Sequence, residues 1–210
     1  MKRLLHIFYL SILVIAMTGF IGMPYHITKD LKDIKLKNVD NKFVSLSSYK
    51  NAKGFMIVFT CNKCPMAKFY SERLNKLNIQ FAAKNVYLLA VNSMDTVAYA
   101  EESFSLMQKK AKKDKLNFPY LQDKGQLLAK QLKATHTPQA FVLWKNKAGN
   151  YVIKYQGAID DNAGDANNAQ PYLSEAVNQL LAHQTVTTPV TESFGCRIFF
   201  RGEKPNMKIN

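Results

Sequence analysis

Gly54-Phe55-Met56-Ile57-Val58-Phe59-Thr60-Cys61-Asn62-Lys63-Cys64-Pro65 is the stretch on which the fold turns. Gly54 to Phe59 is an unbroken apolar run, the pattern of a strand buried on both faces. Met66 to Phe81 follows with helical periodicity, and Phe69, Leu74, Leu77 and Ile79 or Phe81 are expected to face inward. Pro65 suits a first helical turn, where no intrahelical acceptor awaits its missing N–H. Two cysteines therefore sit where a central strand becomes a helix. Free amides and the positive end of the helix dipole stabilise a thiolate there. The spacing predicts a redox-active dithiol. Cys61, at the strand end, is expected within reach as nucleophile, and Cys64, one turn in, as the more covered resolving thiol. Lys63 between them adds a tuning charge worth about 0.3–1 kcal/mol.

Working outward, Ile34 to Lys37 and Phe43 to Leu46 alternate apolar and polar residues around a turn at Val39-Asp40-Asn41-Lys42, an N-terminal β extension. Asn85 to Asn92 forms a second continuous apolar run, a buried parallel strand. Glu101 to Lys113 is expected as a lysine-rich helix, Phe118 to Leu121 as extended chain and Gly125 to Leu132 as a short helix. Thr137-Pro138 breaks the chain. Gln139 to Trp144 and Tyr151 to Tyr155 then form a hairpin around Gly149, and Pro171 to Leu181 the last helix. Parallel strands with crossover helices, closed by an antiparallel hairpin, predict an α/β fold: a mixed central sheet with helices on both faces.

Thr137-Pro138, placed after a short helix and before a strand, gives the chain its likeness to the thioredoxin superfamily, a three-layer α/β/α fold. There a cis-proline faces the Cys-x-x-Cys pair and its neighbour binds substrate backbone, so the resemblance implies a substrate-binding role for Thr137 and Pro138. Phe59 to Pro65, Val91-Asn92-Ser93, Phe118 to Leu121, Thr137-Pro138, Gly157 to Asp161 and Ser193-Phe194-Gly195-Cys196 resemble the peroxiredoxin-like branch. That branch groups alkyl hydroperoxide reductase and thiol-specific antioxidant domains, and the likeness spans about Ile34 to Phe199. It implies thiol redox chemistry without settling the substrate. Peroxiredoxins resemble Pro-x-x-x-Thr-x-x-Cys with an arginine on a later strand. Here Val58 stands three residues before Cys61, and no arginine lies between Arg73 and Arg197. Disulfide exchange with protein substrates is therefore expected ahead of peroxide reduction, and a peroxiredoxin-like antioxidant is the alternative enzyme. Cys196 is either a buried free thiol or a third redox thiol brought by the tail. His136, two residues before Pro138, is a candidate for tuning Cys61 or an exposed loop histidine.

Composition bounds the rest. With 47% hydrophobic and 21% charged residues the chain is globular. Lys2 and Arg3 precede Leu4 to Gly22, a stretch of about 19 residues without a full charge, roughly 28 Å long as a helix. A bilayer core is about 30 Å thick. Residues 1–23 are thus expected to be a signal peptide or membrane anchor, residues 24–183 the redoxin domain, and residues 184–210 a tail carrying Cys196. The expected location is the periplasm, free or held at the inner membrane by residues 4–22. The net charge of +14 is mostly lysine. It suits a solvated face and, on an exported chain, excludes a nucleic-acid role. Protein thiols and disulfides, with a separate thiol-redox donor, are the expected partners. No cofactor beyond a Cys61–Cys64 disulfide is implied. Zinc requires about four ligands, which these residues supply poorly. Copper carriage by Cys61, Cys64 and His136 is the alternative outside enzymology.

Overall fold

The computed structural model describes residues 34–203. The expected targeting segment, residues 1–23, lies outside the described residues, as do 204–210 of the tail. Among the described residues, nine strands and five α-helices follow in order: β1 (Leu36–Asn38), β2 (Phe43–Val44), β3 (Gly54–Phe59), α1 (Pro65–Phe69), α2 (Ser71–Ala82), β4 (Val86–Asn92), α3 (Phe104–Lys113), β5 (Tyr120–Gln122), α4 (Leu127–Leu132), β6 (His136–Thr137), β7 (Gln139–Lys145), β8 (Tyr151–Gly157), α5 (Tyr172–Leu181) and β9 (Cys196–Arg197).

Seven strands form one mixed sheet in the order β2-β1-β5-β4-β3-β7-β8. β3 runs parallel to β4, and β4 to β5, while β7 pairs antiparallel with β3. The apolar runs of β3 and β4 explain this placement: every residue of β3 is buried. Alternate side chains supply the two faces. Met56, Val58, Leu88 and Ala90 pack with Leu74 and Phe81 of α2, Met107 of α3 and Val177 of α5. Phe55, Ile57, Phe59, Leu89 and Val91 pack on the other face with Leu128 and Leu132 of α4 and with Ile198. The three-layer fold expected from the sequence is present, with one layer made of a single short helix and the chain's own tail.

Two helix expectations need correction. Met66 to Phe81 is not one helix: it breaks at Tyr70, where φ and ψ are −93° and −11°. The break advances the face by one residue. Tyr70 turns into the core, while Phe69 and Ile79 are 58% and 68% exposed. Tyr70 is held there by its hydroxyl, which donates to Asp160 at 2.9 Å. Glu101 and Glu102 likewise do not open α3. They form a separate 3-10 turn, Ala100–Glu102, that ends at Ser103 in an extended conformation.

Between His183 and Glu203 the chain lies on the domain. Val186 joins the core, and the Thr191 hydroxyl accepts the Ala158 amide at 2.9 Å. β9 then pairs antiparallel with β6, with Cys196 opposite Thr137 and Arg197 opposite His136. Gly195 makes this approach feasible. Its φ is +142°, and a Cβ there would lie 2.3 Å from the Thr137 carbonyl oxygen.

Candidate active site

Cys61 lies two residues beyond β3, after Thr60, whose amide still donates to Val91 of β4 at 2.8 Å. The turn that follows is held from outside. The buried Glu102 carboxylate accepts the amide of Asn62 at 2.7 Å and that of Lys63 at 3.1 Å. Its Oε2 also accepts Asn92 Nδ2 at 2.8 Å. The Tyr120 hydroxyl donates to Asn62 Oδ1 at 2.9 Å. These bonds close a tight loop that delivers Cys64 to the start of α1, with Pro65 next. The Cys64 amide then donates to Cys61 Sγ at 3.3 Å, so the two sulfurs share one turn.

The second wall is the Thr137–Pro138 turn, whose peptide bond is cis. The Thr137 hydroxyl faces Cys61 Sγ at 3.4 Å and the Cys196 carbonyl at 3.3 Å, and gives its one proton to either. As a thiol, Cys64 donates to the Thr137 carbonyl at 3.4 Å. Cys196 packs against Cys61 and Cys64 together with Met66 and Met94. All three cysteines are free thiols.

The environments of the three sulfurs differ. Burial, with the Thr137 hydroxyl and Cys64 amide pulling back and the Glu102 charge pushing on, lifts Cys61 to about 12. Burial also works against ionisation of Cys64. There the Cys196 thiol and the amides of Ala67, Cys196 and Met66 outweigh it, and Cys64 falls below the ordinary value of 9.0. Cys196 rises to about 11, through burial, the neighbouring Cys64 sulfur and Glu102. Cys64 is therefore the most acidic of the three thiols. The expectation of an accessible Cys61 does not hold, since Cys61 and Cys64 are only 2% and 4% exposed. The helix-start amides reach the second sulfur of the pair.

A groove of about 260 Å³ opens over these sulfurs. Cys61, Cys64, Cys196, Met94, Tyr99 and Phe199 line it, with Lys63 and Arg197. A larger depression, about 750 Å³, lies at the β1 edge around Phe43 and Leu127 and contains no thiol. The Lys63 side chain is exposed and the loop uses its amide instead. His136 bonds the Thr135 hydroxyl through Nδ1 at 2.9 Å and does not line the groove. Among the described residues, no three His, Cys, Asp or Glu side chains converge in a metal-holding arrangement.

Thr137 has no free edge to offer a substrate strand. The Ile198 amide donates to Thr135 at 2.8 Å. The antiparallel alternation then makes Thr137 and Cys196 the next hydrogen-bonded pair. The chain's own tail occupies the place where a substrate backbone was expected. Sequence reasoning also missed Glu102, because it belongs to a run of charged residues with nothing local to mark it as buried. Asp160 is a further structural residue: it pairs with Arg73 as well as Tyr70, which commits Arg73 away from the sulfurs.

A mixed α/β sheet carrying a strand–Cys-x-x-Cys–helix unit opposite a cis-proline turn defines a thioredoxin-fold protein of the redoxin class. Residues 27–161 match the model of the AhpC/TSA family, and the chain belongs to that family. Membership supports an oxidoreductase activity in general terms. No curated protein matches the chain significantly. Among solved structures it is similar to a hypothetical protein of Sinorhizobium meliloti 1021, with 25% identity, a TM-score of 0.75 and coverage of 88% of this chain and 98% of the other. It is also similar to an uncharacterized conserved protein of Geobacillus kaustophilus, at 31% identity and a TM-score of 0.71 over 81% and 90% of the two chains. The C47S mutant of Xylella fastidiosa PrxQ shares the fold at 19% identity and a TM-score of 0.56, over 79% and 98%.

Proposed function

We propose that this protein is an exported thiol–disulfide oxidoreductase in which Cys61 and Cys64 exchange disulfides with protein substrates. One observation carries the reading: the Cys64 amide lies 3.3 Å from Cys61 Sγ at a helix start. Two sulfurs held one turn apart, one of them favoured as thiolate, meet the needs of exchange: a nucleophile and a resolving group. The apolar part of the groove lining, Met94, Tyr99 and Phe199, suits a substrate side chain, while Thr137 lies buried behind the tail that pairs with it. Peroxide is the weaker substrate reading. Val58 stands in the buried strand where an activating threonine would be, and Arg73 is bound to Asp160. Copper carriage would require His136, which faces Thr135.

Export rests on Lys2 and Arg3 ahead of the apolar Leu4 to Gly22 stretch. It makes the periplasmic face of an inner membrane the expected site, with a separate thiol donor restoring the dithiol. Insulin reduction by the full chain tests the activity, with Cys61→Ser and Cys64→Ser variants and peroxide consumption measured alongside. Turnover of insulin lost in Cys64→Ser supports exchange. Peroxide consumption without insulin turnover overturns it.

A further inference from the structure

The tail presents two facts together. It fills the strand edge beside Pro138, and it places a cysteine at that point, opposite Thr137. The placement is firmly fastened. The Ile198 side chain is buried in the core. Gln126 donates to the Phe199 carbonyl at 2.9 Å and accepts the Arg201 amide at 2.7 Å. The Arg201 guanidinium meets Asp95 at 2.7 Å. Cys196 is thus fixed against Cys64, within thiol hydrogen-bonding reach of it. Cys196 is also partly exposed at the groove, whereas Cys61 and Cys64 are buried.

We propose that Cys196 is the resolving thiol for Cys64, and that β9 is a built-in strand holding it where a substrate cysteine would otherwise lie. This rests on the disulfide-exchange reading above. The Cys64 thiolate attacks a substrate disulfide RSSR′. A Cys64–S–S–R bond forms, the substrate S–S bond breaks, and R′S⁻ leaves with the proton given up by Cys196. The Cys196 thiolate then attacks the Cys64 sulfur, expelling RS⁻. The substrate is reduced by two electrons and Cys64–Cys196 becomes the disulfide. Cys61, whose sulfur accepts the Cys64 amide, can take over this bond in a later exchange. Ionisation supports the order: at neutral pH a thiol near 11 has about ten times the thiolate of one near 12.

The chain suits a direct test, because Lys63 separates the two cysteines of the pair. Trypsin leaves Cys61 on 54–63, Cys64 on 64–68 and Cys196 on 155–197. The full chain and its Cys61→Ser and Cys196→Ser variants are oxidised with glutathione disulfide, quenched with acid, alkylated and mapped by mass spectrometry. Circular dichroism establishes that the variants fold. The expected product in Cys61→Ser is a crosslink between 64–68 and 155–197. In Cys196→Ser, the glutathione adduct on Cys64 should clear about tenfold more slowly. If Cys61→Ser holds only a glutathione adduct on Cys64, with Cys196 alkylated, the proposal is overturned while exchange at Cys61 and Cys64 stands. If neither Cys61 nor Cys64 is modified in any variant, the exchange reading itself fails.

Discussion

Glu102→Gln perturbs the centre with almost no change of shape. The carboxylate is 3% exposed, and three N–H donors converge on it: the amides of Asn62 and Lys63, and Asn92 Nδ2. A carboxamide has one acceptor oxygen and one NH2 group. At least one buried donor therefore loses its acceptor, and the remaining bonds lose their charge. Hydrogen bonds to charged groups contribute about 1.5–3 kcal/mol, and an unsatisfied buried donor costs about 1–3 kcal/mol. A destabilisation of about 2–3 kcal/mol follows, or a fall in Tm of roughly 4–12 °C at this chain length. The same change removes a negative charge that raises both Cys61 and Cys196, so both thiols should ionise at lower pH. Calorimetry gives the first quantity. Rates of iodoacetamide labelling against pH, resolved on the tryptic peptides, give the second. An unchanged Tm together with unshifted labelling profiles would refute the role given to Glu102 as clamp of the cysteine loop.

Three further outcomes are expected. Cys61 holds its proton more tightly folded than unfolded, so stability falls as pH rises from about 9 to about 12, by at most about 4 kcal/mol; Cys61→Ala should lose that part of the slope in denaturant titrations across the window. Asp160→Asn leaves the largely buried Arg73 without its counter-charge and should cost about 3–5 kcal/mol, measured by urea unfolding, whereas a loss under 1 kcal/mol would show that the pair is solvent-screened. Gly195→Ala forces a Cβ against the Thr137 carbonyl. It should loosen β9 and speed Cys196 alkylation severalfold, and an unchanged rate would mean that the tail is not held through this contact.

The parts of the fold visible in the sequence are those with short-range causes. β3 and β4 announced themselves as unbroken apolar runs, the hairpin by Gly149 between two strands, and the dithiol by its place between strand and helix. What stayed hidden depends on partners far away in the chain. Tyr70, where the helix breaks, turns inward to Asp160, ninety residues on. Glu102 acts on a loop about forty residues upstream. Cys64 outranks Cys61 as thiolate partly because the tail brings Cys196 and its amide to that sulfur. A two-residue spacing between cysteines cannot contain any of these facts. His136 shows the converse: adjacency in sequence to Thr137 did not bring its side chain into the groove over the sulfurs.

The most direct test of the account is a redox titration of the full chain against glutathione buffers, followed by alkylation of the Cys64 peptide. Stabilisation of the Cys64 thiolate favours the reduced protein. A single two-electron transition at Cys64 is therefore expected, between about −300 and −120 mV. A Cys64 that stays fully alkylatable across about −300 to −120 mV would contradict it.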